Sequence, residues 1–197
     1  SFAELSKNFV NELGYKQDSI YHIIYGNKMA LRYSKGVIVH IETLRWTENS
    51  QAAMETLAAS HLNNRESAGK PYGLVSHLYD HMYDKLPELP DRISWTSTLI
   101  GELLSRGERY RIIGTSRNAF VSVTNSYDID SLDDLLYYIL GTEYDGAANI
   151  EQFISDMREA GILKKSLSAM MLGEDSRVII NGNVVQLAGL SDRVEGT

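Results

Sequence analysis

One stretch of sequence occurs twice, near the two ends of the chain. Glu12, Gly14, Ser19 and Gly26 recur as Glu159, Gly161, Ser166 and Gly173, at a constant offset of 147 residues and without a gap. The apolar positions between them match in kind: Tyr15/Ile162, Ile20/Leu167, Ile23/Met170, Ile24/Met171 and Tyr25/Leu172. A repeat constrains architecture more than any single element does, because each copy has to bury the same apolar face. Two copies favour a tandem of like domains over a long array.

Each copy has a physical reading. Phe2, Leu5, Phe9, Val10 and Leu13 follow helical spacing, as do Ile150, Phe153, Ile154, Met157 and Ala160. A glycine, Gly14 or Gly161, then stops the helix, because it enters the left-handed region without steric cost. A serine, Ser19 or Ser166, opens a second short helix. Two β-rich runs follow. Met29–Tyr33 and Val37–Ile41 flank Ser34-Lys35-Gly36, and Arg177–Ile180 and Val184–Leu187 flank Asn181-Gly182-Asn183. A polar, glycine-bearing tip between such runs predicts a β-hairpin.

The middle of the chain gives a looser third copy. Helices are predicted over Ala52–Leu62, Leu74–Tyr83 and Ser94–Leu104, the second ending before Pro87 and Pro90. A hairpin is predicted from Tyr110–Ile113 and Ala119–Val123, with its tip at Gly114–Asn118. Ser131, followed by Asp133 and Asp134, reads as the cap and acidic first turn of the next helix. The predicted segments are therefore 1–46, in which an initial helix is missing or reduced, then 50–125, then 128–190, with a tail over 191–197. The fold class is mostly α with small β-hairpins.

Composition narrows the chemistry. The chain contains no cysteine, which excludes disulfides, thiolate metal sites and cysteine nucleophiles. The apolar runs are too short for a membrane span. No secretion signal is read at the start, and Ser1 in place of Met points to a processed protein or a segment of a longer one. The expected location is the cytoplasm. The net charge of −7 is uneven. Residues 1–46 carry 6 basic and 4 acidic groups, residues 47–125 carry 8 and 9, and residues 126–197 carry 5 and 13. The last third repels polyanions and the first does not.

Helix, glycine turn, helix and hairpin together resemble the winged helix-turn-helix family of bacterial DNA-binding domains. The resemblance is carried by Gly14…Ser19-Ile20-Tyr21-His22-Ile23-Ile24 with the Ser34-Lys35-Gly36 wing. It is echoed by Gly161…Ser166–Met171 with the Asn181-Gly182-Asn183 wing, and by Ser94–Leu104 with the Gly114–Asn118 wing. It implies tandem winged-helix units, a second helix in the DNA major groove and wings on phosphates. Carried over by position, Lys16, Gln17, Ser19, Tyr21 and His22 would face DNA from the first unit, and Lys28, Arg32 and Lys35 would hold phosphates. In the middle unit the corresponding residues are Thr96, Ser97, Arg109, Arg111 and Arg117. In the last they are Lys164, Lys165 and Ser168. The acidic last third and the missing first helix depart from the family.

Each of these residues also has a plainer role. Serines cap helices whether or not DNA is present, and surface Lys and Arg are commonly solvated. Trp46 and Trp95 are read as buried anchors between units. His77 and His81, four apart on one helix face with Asp80 and Asp84 beside them, are the pair most like metal ligands. His61 is a conceivable addition, but the sequence fixes no third ligand and the glutamate of the metalloprotease pattern is absent. Phosphate-binding and dinucleotide glycine motifs are absent too. The expectation is a non-catalytic duplex-DNA-binding module with no cofactor or metal, part of a longer regulator or defence protein. The alternative is a protein-interaction or dimerisation module that takes a protein partner through the acidic last third.

Overall fold

The structure, a computed structural model, describes residues 4, 29–167, 172 and 176–189. The first copy of the repeat, most of the second copy beyond Leu167, and the 191–197 tail lie outside the described residues. Contacts divide the chain into two compact units, one of residues 1–63 and 75–108 and the other of residues 64–74 and 109–197.

The first unit opens with an antiparallel hairpin of β1 (Ala30–Ser34) and β2 (Val37–His40), in register from Ala30 opposite His40 to Ser34 opposite Val37. Tyr33 is an extra residue between paired positions, and Lys35-Gly36 makes the tip. Helix α1 (Glu48–Glu66) begins where the Thr47 hydroxyl accepts the Ser50 N–H at 3.1 Å. It buries Met54, Ala58 and Leu62, a stripe with a spacing of four. Helix α2 (Val75–Met82) buries Val75 and Leu78, and a 3₁₀ turn at Tyr83–Lys85 ends it before the prolines. Helix α3 (Ser97–Arg106) is capped by Thr96, whose hydroxyl accepts the Leu99 N–H. Leu99, Ile100, Leu103 and Leu104 are fully buried, and the helix packs against α2 and β1.

The second unit holds two three-stranded antiparallel sheets. In one, β3 (Gly73–Leu74), β4 (Tyr110–Ile113) and β5 (Ala119–Ser122) are ordered β3-β5-β4. In the other, β6 (Ala147–Asn149), β7 (Val178–Asn181) and β8 (Val184–Leu187) are ordered β6-β8-β7. Helix α4 (Leu132–Glu143) precedes β6 and α5 (Ile150–Glu159) follows it. Ser131 caps α4 by accepting the Asp134 N–H, and Asn149 caps α5 by accepting from Glu151 and Gln152. One core joins the two sheets. Tyr72, Leu74, Ile113, Ala119 and Val121 pack into the same cluster as Leu135, Leu136, Ile139, Phe153, Met157, Val178 and Val185.

The described residues are mixed α/β, with more helix than strand, which bears out the expected mix of helices and small hairpins only in part. Two strands go beyond that expectation: β3 and β6 turn two of the hairpins into three-stranded sheets. Both are too short to leave an alternating pattern, and their pairing partners lie far along the chain. Among the described residues, no helix is long and apolar enough to cross a membrane.

Candidate nucleic-acid interface

The β4–β5 tip is built from backbone conformations that most residues avoid. Gly114 has φ +90° and Arg117 has φ +54°, and the Arg117 N–H closes the turn on the Gly114 carbonyl at 3.1 Å. A second tip follows α5. Gly161, at φ +71°, lets the Ile162 and Leu163 N–H groups return to the Met157 carbonyl at 2.8 and 3.0 Å, which ends the helix as the sequence predicts. Ile162 and Leu163 then enter the core. The next three residues, Lys164, Lys165 and Ser166, are exposed.

These two tips are joined. The Lys164 N–H donates to the Thr115 hydroxyl at 2.9 Å. The Ser116 hydroxyl donates to the carbonyls of Gly161 and of Ile162, the latter at 3.1 Å, and the Ser116 N–H reaches the same Ile162 carbonyl at 3.5 Å. Space is tight: a methyl on Gly114 would sit 2.5 Å from the Ile162 oxygen, and one on Gly161 would sit 2.5 Å from Asn118 Nδ2. Arg117, exposed, therefore shares one edge of the second unit with exposed Lys164 and Lys165. The sequence places these cations in different repeats, and the structure brings them together. Gly114, Thr115 and Ser116, which make the joint, are expected from the sequence only as part of the hairpin tip, with no sign of a bond to the turn after α5.

Arg111 and Arg32, two of the other predicted cations, are held in ion pairs. Arg111 on β4 forms an ion pair with Asp130. Arg109 is exposed at the base of the same strand. In the first unit, Arg32 on β1 pairs with Glu102 of α3, its Nε 2.8 Å from Glu102 Oε1. Lys35 is exposed at the β1–β2 tip. Thr96 does more than cap α3, because its hydroxyl also donates to the Tyr33 carbonyl. Ser97 is exposed in the first turn of α3. Lys16, Gln17, Ser19, Tyr21, His22, Lys28 and Ser168 lie outside the described residues. Ser166 and Leu167 are not helical, and the remainder of the predicted second helix, apart from Leu172, lies outside the described residues.

The β7–β8 tip is of another kind. Asn181, Gly182 and Asn183 are exposed and uncharged. Arg177, at its base, pairs with Asp134 and lies over the Tyr137 ring, 4.1 Å from the centroid. Burial raises the Asp134 pKa, but the Ser131 hydroxyl, the Asp130 N–H and Arg177 outweigh it and hold the carboxyl below its ordinary value. Burial and a hydrogen bond to Asp156 push the Tyr144 hydroxyl well above the tyrosine range. Trp46 and Trp95 meet edge to face at 5.7 Å within the first unit, their indole N–H groups donating to Gln51 Oε1 and the Pro87 carbonyl. The rings of His61, His77 and His81 also stand edge to face, at 5.6 and 5.2 Å. Among the described residues, no group of three or more His, Asp or Glu is arranged to hold a metal ion.

No family model matches this sequence, and neither the curated proteins nor the solved structures hold a significant match to it.

Proposed function

We propose that this chain is a non-catalytic duplex-DNA-binding module built on tandem winged-helix units, the targeting part of a longer cytoplasmic regulator or defence protein. The observation that carries this reading is a repeated order of elements. Along the chain run α1, β3, α2, α3, β4 and β5, with sheet order β3-β5-β4. Then come α4, β6, α5, β7 and β8, with sheet order β6-β8-β7. In each, the short strand after the first helix pairs with the last strand of the hairpin, which is the winged-helix order of strands. The cationic joint at Arg117, Lys164 and Lys165 supplies the charge that such folds turn towards phosphates.

Fluorescence anisotropy with a labelled duplex tests the reading. Binding is expected at low salt, with log K falling linearly against log salt because bound counterions are released. No binding at low salt would exclude it.

A second reading, a protein-interaction module, is favoured by one observation. The helix that would enter the groove in the middle repeat, α3, is partly occupied. Arg32 neutralises its Glu102, and Tyr33 takes the Thr96 hydroxyl. Duplex binding absent at every salt concentration, together with self-association on a sizing column, would favour this alternative.

A further inference from the structure

We infer that the β4–β5 tip and the turn after α5 form a single phosphodiester-binding clamp, in which Arg117, Lys164 and Lys165 contact the backbone of one duplex and Ser116 is a positioning residue. This rests on the DNA-binding reading and deepens it. The two winged repeats would present one composite contact surface at this edge, in place of two independent wings.

Three observations support it. The first is the joint itself. Hydrogen bonds from Lys164 N–H to Thr115 and from Ser116 to Gly161 and Ile162 fix the two backbones against each other, so the backbone that carries the cations is placed before any ligand arrives. Pre-placement reduces the ordering cost of binding. The second is the contrast in pairing. Arg111, Arg177, Arg32 and Lys70 are each engaged by a carboxylate, of Asp130, Asp134, Glu102 and Glu143. The Lys164 and Lys165 amines have no ion-pair partner among the described residues, so a polyanion displaces no internal salt bridge there. Within residues 158–165, Arg158, Lys164 and Lys165 stand against one acid, Glu159. The third is the closed turn at the tip. The Arg117 N–H bonds the Gly114 carbonyl at 3.1 Å and holds Arg117, one of six non-glycine residues at positive φ among the described residues, at φ +54°, so its backbone is fixed at the tip.

Lys164, Lys165 and Arg117 are exposed, which suits contact with a repeating diester. The contacts are to charge rather than to base edges, so this clamp binds duplexes of different sequence alike.

The test compares the whole chain with three variants, by anisotropy on two unrelated labelled duplexes across a salt series. K164A/K165A is expected to weaken binding to both duplexes by about tenfold or more and to lower the salt slope by roughly two, at about 0.9 per lost phosphate contact. Ser116→Ala keeps every charge and loosens the joint. It is expected to weaken binding several-fold while the melting temperature falls by only a few degrees, as for one lost hydrogen bond, with recovery of both in Ser116→Thr. Lys85→Ala removes an exposed lysine in the first unit, and is expected to change affinity less than twofold. If the parent chain binds but K164A/K165A behaves like Lys85→Ala, the clamp is wrong and the DNA reading stands. If K164A/K165A weakens binding while Ser116→Ala leaves it unchanged, the positioning role is wrong. If the parent chain binds neither duplex, the DNA reading fails and the clamp with it. Binding to anionic lipid vesicles without binding to duplex also overturns the clamp.

Discussion

The two sheets of the second unit share a strand order and differ at their tips. In the β3-β5-β4 sheet the tip runs over five residues, carries Arg117 and is fastened to the Gly161 turn. In the β6-β8-β7 sheet the tip is the two residues Gly182 and Asn183, has no charge, and leaves open space around Gly182. At the bases the sheets agree. Arg111 pairs with Asp130 and Arg177 with Asp134, two acids flanking the start of α4. Base arginines therefore serve the fold, and of the two tips only that of β4–β5 carries a charged residue, Arg117. Equal topology does not make equal surfaces, because strand pairing is set by backbone and core while the tips are free to vary.

The largest expected break in this comparison lies in the short first strands. Gly73 on β3 stands against the fully buried Phe120 ring, and a Cβ there would overlap the ring, whose nearest edge atoms include Cε2 at 2.8 Å. The matching strand β6 already carries Ala147 and Ala148. Gly73→Ala is expected to destabilise the protein by about 1–3 kcal/mol, the range for overpacking a filled core. Ala148→Gly is expected to cost about 0.5–1 kcal/mol through added chain entropy. Urea unfolding of both variants orders them. Equal midpoints would mean that the Phe120 ring can move aside.

A smaller difference separates the tip glycines. Gly114 and Gly182 both have positive φ, so alanine at either carries a left-handed cost of roughly 1 kcal/mol. Only at Gly114 does the new methyl also meet a backbone oxygen, that of Ile162 at 2.5 Å. Gly114→Ala should therefore be the more destabilising by about a further 1 kcal/mol. It should also weaken the joint, which hydrogen exchange at the Lys164 amide would register. Equal stability losses would show that the tip slides off the turn without penalty.

What the sequence exposes is local. The caps Thr96, Ser131 and Asn149, the stop at Gly161 and both hairpins of the second unit follow from short-range chemistry, and apart from the Thr96 and Asn149 caps they are read from windows of a few residues. The elements that escape are β3 and β6, because Gly73-Leu74 and Ala147-Ala148-Asn149 have neither length nor β-branched residues and gain their pairing from distant strands. The candidate site escapes for the same reason. Arg117 and Lys164 are recognisable as exposed cations, but their union depends on Thr115 and Ser116 meeting a turn more than forty residues away. The sequence also gives no sign that Arg32, Arg111 and Arg177 are taken up by Glu102, Asp130 and Asp134, since ion pairing across elements leaves no periodic signal.

The smallest expected effect concerns the acids at the sheet bases. Asp134 accepts from Ser131 and Asp130 and pairs with Arg177, and its carboxyl is held below the ordinary aspartate range. A carboxyl with a lowered folded pKa contributes stability that is present above its unfolded value. That contribution is lost as pH falls through the folded value. The window therefore lies below about pH 4. Asp134→Asn removes the titration while keeping an acceptor for the cap. Near neutral pH it is expected to cost a few tenths of a kcal/mol, the size of an exposed ion pair. Once the pH falls below the folded value the parent and the variant should converge, because the protonated carboxyl no longer attracts Arg177. Thermal melts of both proteins across that range decide the matter. A gap that stays constant with pH would mean that Arg177 draws its support from the Tyr137 ring, 4.1 Å away, and not from the carboxylate.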